Sequence, residues 1–177
     1  MRDATEPAAE LVVGQPGLIP WFAEMPTLTY STSNARSEDM SQKPTYKDPW
    51  RYGKRGIIPA LSFEGPCWET GRNVWWRLWR ADGKPWGLAG LWNTLTDEAS
   101  CDIHESHIMM TINADAHPLL AGMHMPDSNL GPNRRGNRSV ITVAREGVYP
   151  WLYWTIEGAL HLLRLKPAEH FDAVARR

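Results

Sequence analysis

Cysteine is nearly absent from this chain. Its 177 residues hold two, Cys67 and Cys101, far apart and with no second cysteine beside either. That spacing excludes a zinc ribbon and a disulfide framework, and it fits a reducing compartment. An excess of one charge is also missing. Lys and Arg number 19 against 20 Asp and Glu, for a net charge of −1. No global basic field exists, so any nucleic-acid contact has to be a local patch. No apolar run approaches the length of a membrane span. The opening MRDATEPAAE is polar and acidic, unlike a secretory leader. The glycine patterns of phosphate-binding loops and the G-x-S-x-G of a serine nucleophile do not occur. The length suits one domain with a core of its own.

Tryptophan, in contrast, is abundant. Six of the ten lie between Ile57 and Trp92. Within that stretch Val74 to Arg80 reads VWWRLWR. Side chains alternate across a strand, so Val74, Trp76 and Leu78 form one apolar face and Trp75, Arg77 and Trp79 the other. The first face should be core. The second has two readings. It is either a packed layer with Arg77 across indole rings, or a platform on which bases of single-stranded nucleic acid stack while arginine takes phosphate. Ala81 to Pro85 has turn chemistry, predicting a hairpin whose second strand is Trp86 to Trp92. Gly87 and Gly90 there suggest a bulge or a close backbone approach.

Elsewhere, Met1 to Glu10 reads as a loose lead-in and residues 11–177 as the domain. Thr27 to Thr32 has strand propensity, Ser33 to Asp39 is turn-like, and Ser41 to Tyr52 reads as loop. Arg51, Lys54 and Arg55 form a small basic cluster, either a solvated face or an anion contact. Ile108, Met110 and Ile112 alternate inward as in a half-buried strand. Asn113 or Asp115 can cap a short helix reaching Met123. Residues 126–137 form a polar loop, and Ser139 to Val143 a strand. Tyr149 to Leu165 has helical spacing, and Pro167 opens a last helical turn. The expected class is α+β, mainly antiparallel and barrel-like, with the main helices C-terminal.

Few residues point to chemistry alone. Glu64, after an apolar run and before Gly65-Pro66, is either a partly buried acid or the cap of a turn. His124 stands at the mouth of a loop, where functional residues concentrate. His104, Glu105 and His107 have a spacing that would suit a metal on a helix, but they precede a strand and lack a third ligand of the usual kind. No metal or other cofactor is expected.

Taken as a set, NARSE (Asn34 to Glu38), KRGIIPA (Lys54 to Ala60), GLAGLW (Gly87 to Trp92), MTINAD (Met110 to Asp115) and MHMPD (Met123 to Asp127) resemble the SOS-response-associated peptidase (SRAP) family. The resemblance runs from about Gln15 to RLKPAEHFDA (Arg164 to Ala173). It implies a mainly β fold with a groove for single-stranded DNA and reaction with abasic sites. In the family a cysteine exposed by removal of the initiator Met offers amine and thiol to the ring-opened sugar aldehyde, giving a thiazolidine crosslink. An asparagine, a glutamate and a histidine line that pocket. The motifs carry these roles to Asn34, Glu64 and His124, and a phosphate contact to Arg36. Glu64 stands one residue before the family position, which ungapped counting gives to Gly65. His124 lies in M-H-M-P, where the family has H-x-R-M-P.

Arg2 follows Met1 where the family has cysteine, so the domain is expected to be N-terminally incomplete and the covalent step lost in this chain. The expected partner is single-stranded DNA, abasic-site DNA in particular, with Arg36, Trp75, Arg77 and Trp79 in contact with it. A monomer in the cytoplasm, at the nucleoid, is the expected setting. Two rival readings are a non-catalytic single-stranded DNA-binding module and a metal-dependent hydrolase built on His104, Glu105 and His107.

Overall fold

The computed structural model describes residues 9–98, 100–123, 125 and 136–176. Their strands are β1 (Gln15–Pro16), β2 (Asn34–Arg36), β3 (Arg55–Ala60), β4 (Ser62–Cys67), β5 (Val74–Arg80), β6 (Trp86–Thr96), β7 (Ile103–Asn113), β8 (Arg138–Val140), β9 (Thr142–Val143) and β10 (Phe171–Ala175). Their α-helices are α1 (Pro44–Arg51), α2 (Arg145–Tyr153) and α3 (Ile156–Leu160). No helix among them is long and apolar enough to cross a membrane.

The long strands β6 and β7 pair antiparallel at the centre of a large sheet. β3 and β9 pair antiparallel with β6, and β8 with β7. The short β1 and β2 run parallel to β7. A second sheet has the order β10-β5-β4, all antiparallel. The architecture is therefore mostly antiparallel with few helices, and those mainly C-terminal. The large sheet stays open rather than closing into the expected barrel.

Alternation along β6 and β7 gives the large sheet two apolar faces. Ala89, Leu91, Ile108 and Met110 point to one side and are buried beneath Trp50 and Trp151 of α1 and α2. Leu88 and Met109 point to the other, where Ile58 and Val140 join them against Phe63, Leu78 and Phe171 of the small sheet. Burying such side chains stabilises by about 1.5–3 kcal/mol each. Gly90 sits where two strands approach closely. A Cβ there would lie 2.5 Å from the Ile108 carbonyl oxygen, which is backbone and cannot rotate away. Gly90→Ala is expected to destabilise by about 1–3 kcal/mol, read as a lower urea midpoint; an unchanged midpoint would show that the strands can part without cost.

Several local expectations are overturned. Ala81 to Pro85 turns, with Gly83 at φ 71°, but closes no hairpin: β5 pairs with β4 and β10, while β6 enters the other sheet. Thr27 to Thr32 is not a strand, and the polar NAR run is, because Ala35 is fully buried against β7. Ser41 to Tyr52 holds α1, whose Pro44 starts it where a proline costs no hydrogen bond. The helix read over Tyr149 to Leu165 is two, divided where the Thr155 hydroxyl accepts from the Gly158 amide. The short helix expected between Asn113 and Met123 is only a 3-10 turn, Leu120–Gly122. After Pro167 the chain makes a 3-10 turn and then β10, because Phe171 fills the inter-sheet core.

Candidate nucleic-acid interface

On the VWWRLWR face that is not core, Trp75 and Arg77 are exposed and Trp79 is half-buried. β4 and β5 pair Glu64 with Arg77, Pro66 with Trp75 and Ser62 with Trp79, so these six share the outward side of the small sheet. β10 adds Val174 beside Arg77 and Asp172 beside Trp79. Trp75 is 48 % exposed. No indole lies under the Arg77 guanidinium among the described residues, so the packed-layer reading fails there. Arg77 donates instead to Glu64 Oε1, at 3.1 Å from Nη2 and 3.3 Å from Nε. Arg176 donates to the other oxygen, Oε2, at 3.0 Å. One carboxylate thus orders two guanidiniums, one from β5 and one from the residue that follows β10. A surface concavity of about 550 Å³ opens beside them, lined by Glu64, Asn73, Trp75 and Arg176.

Asn34 and Arg36 occupy a different surface. They lie on β2, opposite Met109 and Thr111, and so on the side of the large sheet that faces the small one. The Asn34 carbonyl accepts from the Tyr46 hydroxyl at 3.2 Å. Glu38, at the end of the NARSE run, fixes this strand. Its Oε2 accepts from Arg138 Nη2 at 2.6 Å and its Oε1 from the Asn113 amide at 2.8 Å. Arg138 in turn donates to the Thr111 hydroxyl and carbonyl. Neither Glu38 nor Arg138 stands out in the sequence, because their pairing spans 100 residues. Partial burial pushes the Glu38 carboxyl up, but the hydrogen bonds from Arg138 and the Asn113 amide outweigh it and hold it below the usual carboxylate value.

A lowered folded-state pKa means that the stabilisation is present above the unfolded value and is lost as pH falls through the folded one. Glu38→Gln is therefore expected to lower the urea midpoint near neutral pH, and the gap to the unaltered protein should close in acid. Because the pair is half exposed, the effect should stay below about 1 kcal/mol. A gap that widens in acid would contradict this.

The structure does not bring Glu64 to Asn34. The outward turn of Glu64 leaves Gly65 on the inner side, where a Cβ would lie 4.0 Å from the Met123 sulfur. The third candidate, His124, lies outside the described residues. On the strand β7, neighbours alternate in direction, so His104 and His107 project from opposite faces and cannot share a metal. Glu105 accepts from the Thr94 hydroxyl. Among the described residues no group of three or more metal-ligating side chains occurs. His117 precedes the 3-10 turn, where its Nδ1 accepts from the Leu119 and Leu120 amides. In the basic cluster Arg55 is neither solvated nor available to an anion. It is buried, and donates to the Trp151 and Trp154 carbonyls.

The family model described as "SOS response associated peptidase (SRAP)" matches residues 1–175. The chain belongs to the SRAP family. Membership ties it to the SOS response to DNA damage. A crystal structure of a Bordetella bronchiseptica protein is 32 % identical, with a TM-score of 0.81 over 93 % of this chain and 76 % of that one. A Bacteroides thetaiotaomicron protein, 21 % identical, shares the fold with a TM-score of 0.73 over 93 % of this SRAP chain and 68 % of its own. A phage-related protein of Bordetella bronchiseptica, 16 % identical, does so at 0.61 over 91 % and 68 %. No curated protein matches the chain.

Proposed function

We propose that this SRAP chain binds single-stranded DNA and recognises abasic sites in it, without forming a covalent bond through either of its cysteines. The observation that carries the binding half is the exposed aromatic–arginine face of the small sheet. Trp75 and Trp79 offer surfaces to unstacked bases, and Arg77 and Arg176 offer donors to phosphates. Single-stranded DNA suits it because its bases are already free to stack, whereas a duplex would first have to be opened. Family membership supports the abasic-site half, with Asn34 and Arg36, on a surface apart from the tryptophan–arginine face, and His124 as the residues that meet the lesion.

The chemistry of the cysteines supports the non-covalent half. A thiazolidine needs a thiol and a free amine on the same residue, since both add to one aldehyde carbon as water leaves. The α-nitrogens of Cys67 and Cys101 are locked in peptide bonds, and the Cys67 thiol is buried. Glu64 is assigned to ordering the arginines rather than to proton transfer.

The test uses one oligonucleotide with and without an abasic site. Native gels are expected to show a complex with the single strand, tighter when the abasic site is present and weak with duplex. Denaturing gels of the same samples should show free DNA alone. A preference for duplex would overturn the single-strand assignment. An adduct surviving denaturation and lost in Cys101→Ser would overturn the non-covalent one.

A further inference from the structure

On the helix-covered side of the large sheet, away from the proposed DNA face, lies a second pocket of about 220 Å³. It is smaller than the roughly 300–1,000 Å³ of a small-molecule site and suits a single aromatic side chain. Val143, Gly147, Pro150 and Leu162 make its apolar lining, with the half-exposed Trp154 as one wall. Arg164 and Lys166 stand at it as cations, and Glu146 as one anion. No salt bridge among the described residues engages either cation. The pocket therefore combines an apolar hole with a surplus of one positive charge.

We infer that this pocket binds the C-terminus of a partner protein ending in an aromatic apolar residue: the ring enters between Pro150, Trp154 and Leu162, and the terminal carboxylate lies between Arg164 and Lys166. Capture of a chain end by fixed cations is a recurrent mode of peptide recognition, and an aromatic anchor in a small pocket is where such interfaces concentrate their energy. A nucleotide fits less well. The polar edge of a base would face Val143, Pro150 and Leu162, with the single Thr142 hydroxyl as the one neutral side-chain partner in the lining, and a buried polar edge left mostly unpaired is costly. Glu146 also opposes a run of phosphates more than a single carboxylate.

The site is independent of the DNA face, and its test separates the two. The probe is a fluorescein-labelled Gly/Ser octapeptide ending in phenylalanine with a free carboxylate, titrated with the whole chain. Binding well below about 1 mM is expected, weakened about tenfold or more when the carboxylate is amidated, when the last residue is serine, or in Arg164→Glu. Arg164 is exposed, so that variant keeps the fold, and Trp154→Ala should weaken binding without any change of surface charge. Trp75→Ala should leave peptide binding unchanged. No binding up to about 1 mM, or equal binding of the amidated peptide, or displacement by single-stranded DNA, would overturn the assignment.

Discussion

Glu64→Gln should tighten the binding of single-stranded DNA. Glu64 neutralises Arg77 and Arg176 at 3.1 and 3.0 Å, and a phosphate has to displace it to reach either one. Glutamine keeps the size and loses the charge. Each phosphate neutralised on a single strand adds about −0.7 to the slope of log affinity against log salt. Near 0.1 M salt that is roughly 1 kcal/mol, or about fivefold, per contact. One to two released arginines should raise affinity about 5- to 25-fold and steepen the slope by about 0.7–1.4. A catalytic acid would behave differently, since its replacement would lower turnover and leave binding and its salt slope alone. Anisotropy titrations of an oligothymidylate at several salt concentrations separate the two. Unchanged or weaker affinity in Glu64→Gln would show that its partners do not meet phosphate.

The second large effect is on stability, at Arg55. This arginine is 6 % exposed, with the Trp50 and Trp151 rings each 5.9 Å from its guanidinium carbon. Its donors meet the Trp151 and Trp154 carbonyls, at the C-terminal end of α2 where backbone acceptors lack partners. A cation there is favoured by the helix dipole as well. Desolvation pushes its pKa down, so the carbonyls and rings are what keep the charge tolerable. Arg55→Ala leaves the buried Trp151 carbonyl and the partly buried Trp154 carbonyl unmet and a cavity between two indoles. The expected loss is about 3–5 kcal/mol, which for a chain of this size lowers Tm by about 6–20 °C. Arg55→Lys should recover little, because one ammonium cannot span both carbonyls as the planar fork does. A Tm within about 2 °C of the unaltered protein would contradict this account of the α2 end.

Arg55 also illustrates what the sequence could not disclose. KRG reads as a solvated basic cluster, and only the fold reveals that Trp50 of the preceding helix and Trp151 of the distant α2 close over its middle residue. The faces of β5 were legible because alternation is local: VWWRLWR specifies its own two sides whatever it pairs with. Its partners were not legible, since pairing with β4 rather than β6 depends on Phe171, Leu78 and Trp86 meeting in one core. The same reason hid β2 and β10. A strand of three residues with one buried alanine has no periodicity to detect, and it exists because β7 offers it an edge. Glu64 was singled out for its surroundings, but one residue of register decides its direction. That register came from the structure, and it moved Glu64 from the pocket to the outer arginines.

Single-stranded DNA is proposed to lie along the tryptophan–arginine face of the small sheet. The most direct test is a salt-dependent anisotropy titration of an oligothymidylate with Trp75→Ala beside the unaltered chain. A stacking contact is worth about 1–3 kcal/mol per base, so affinity should fall about 5- to 150-fold with the salt slope unchanged. Equal affinity of the two proteins at every salt concentration would move the DNA to another surface.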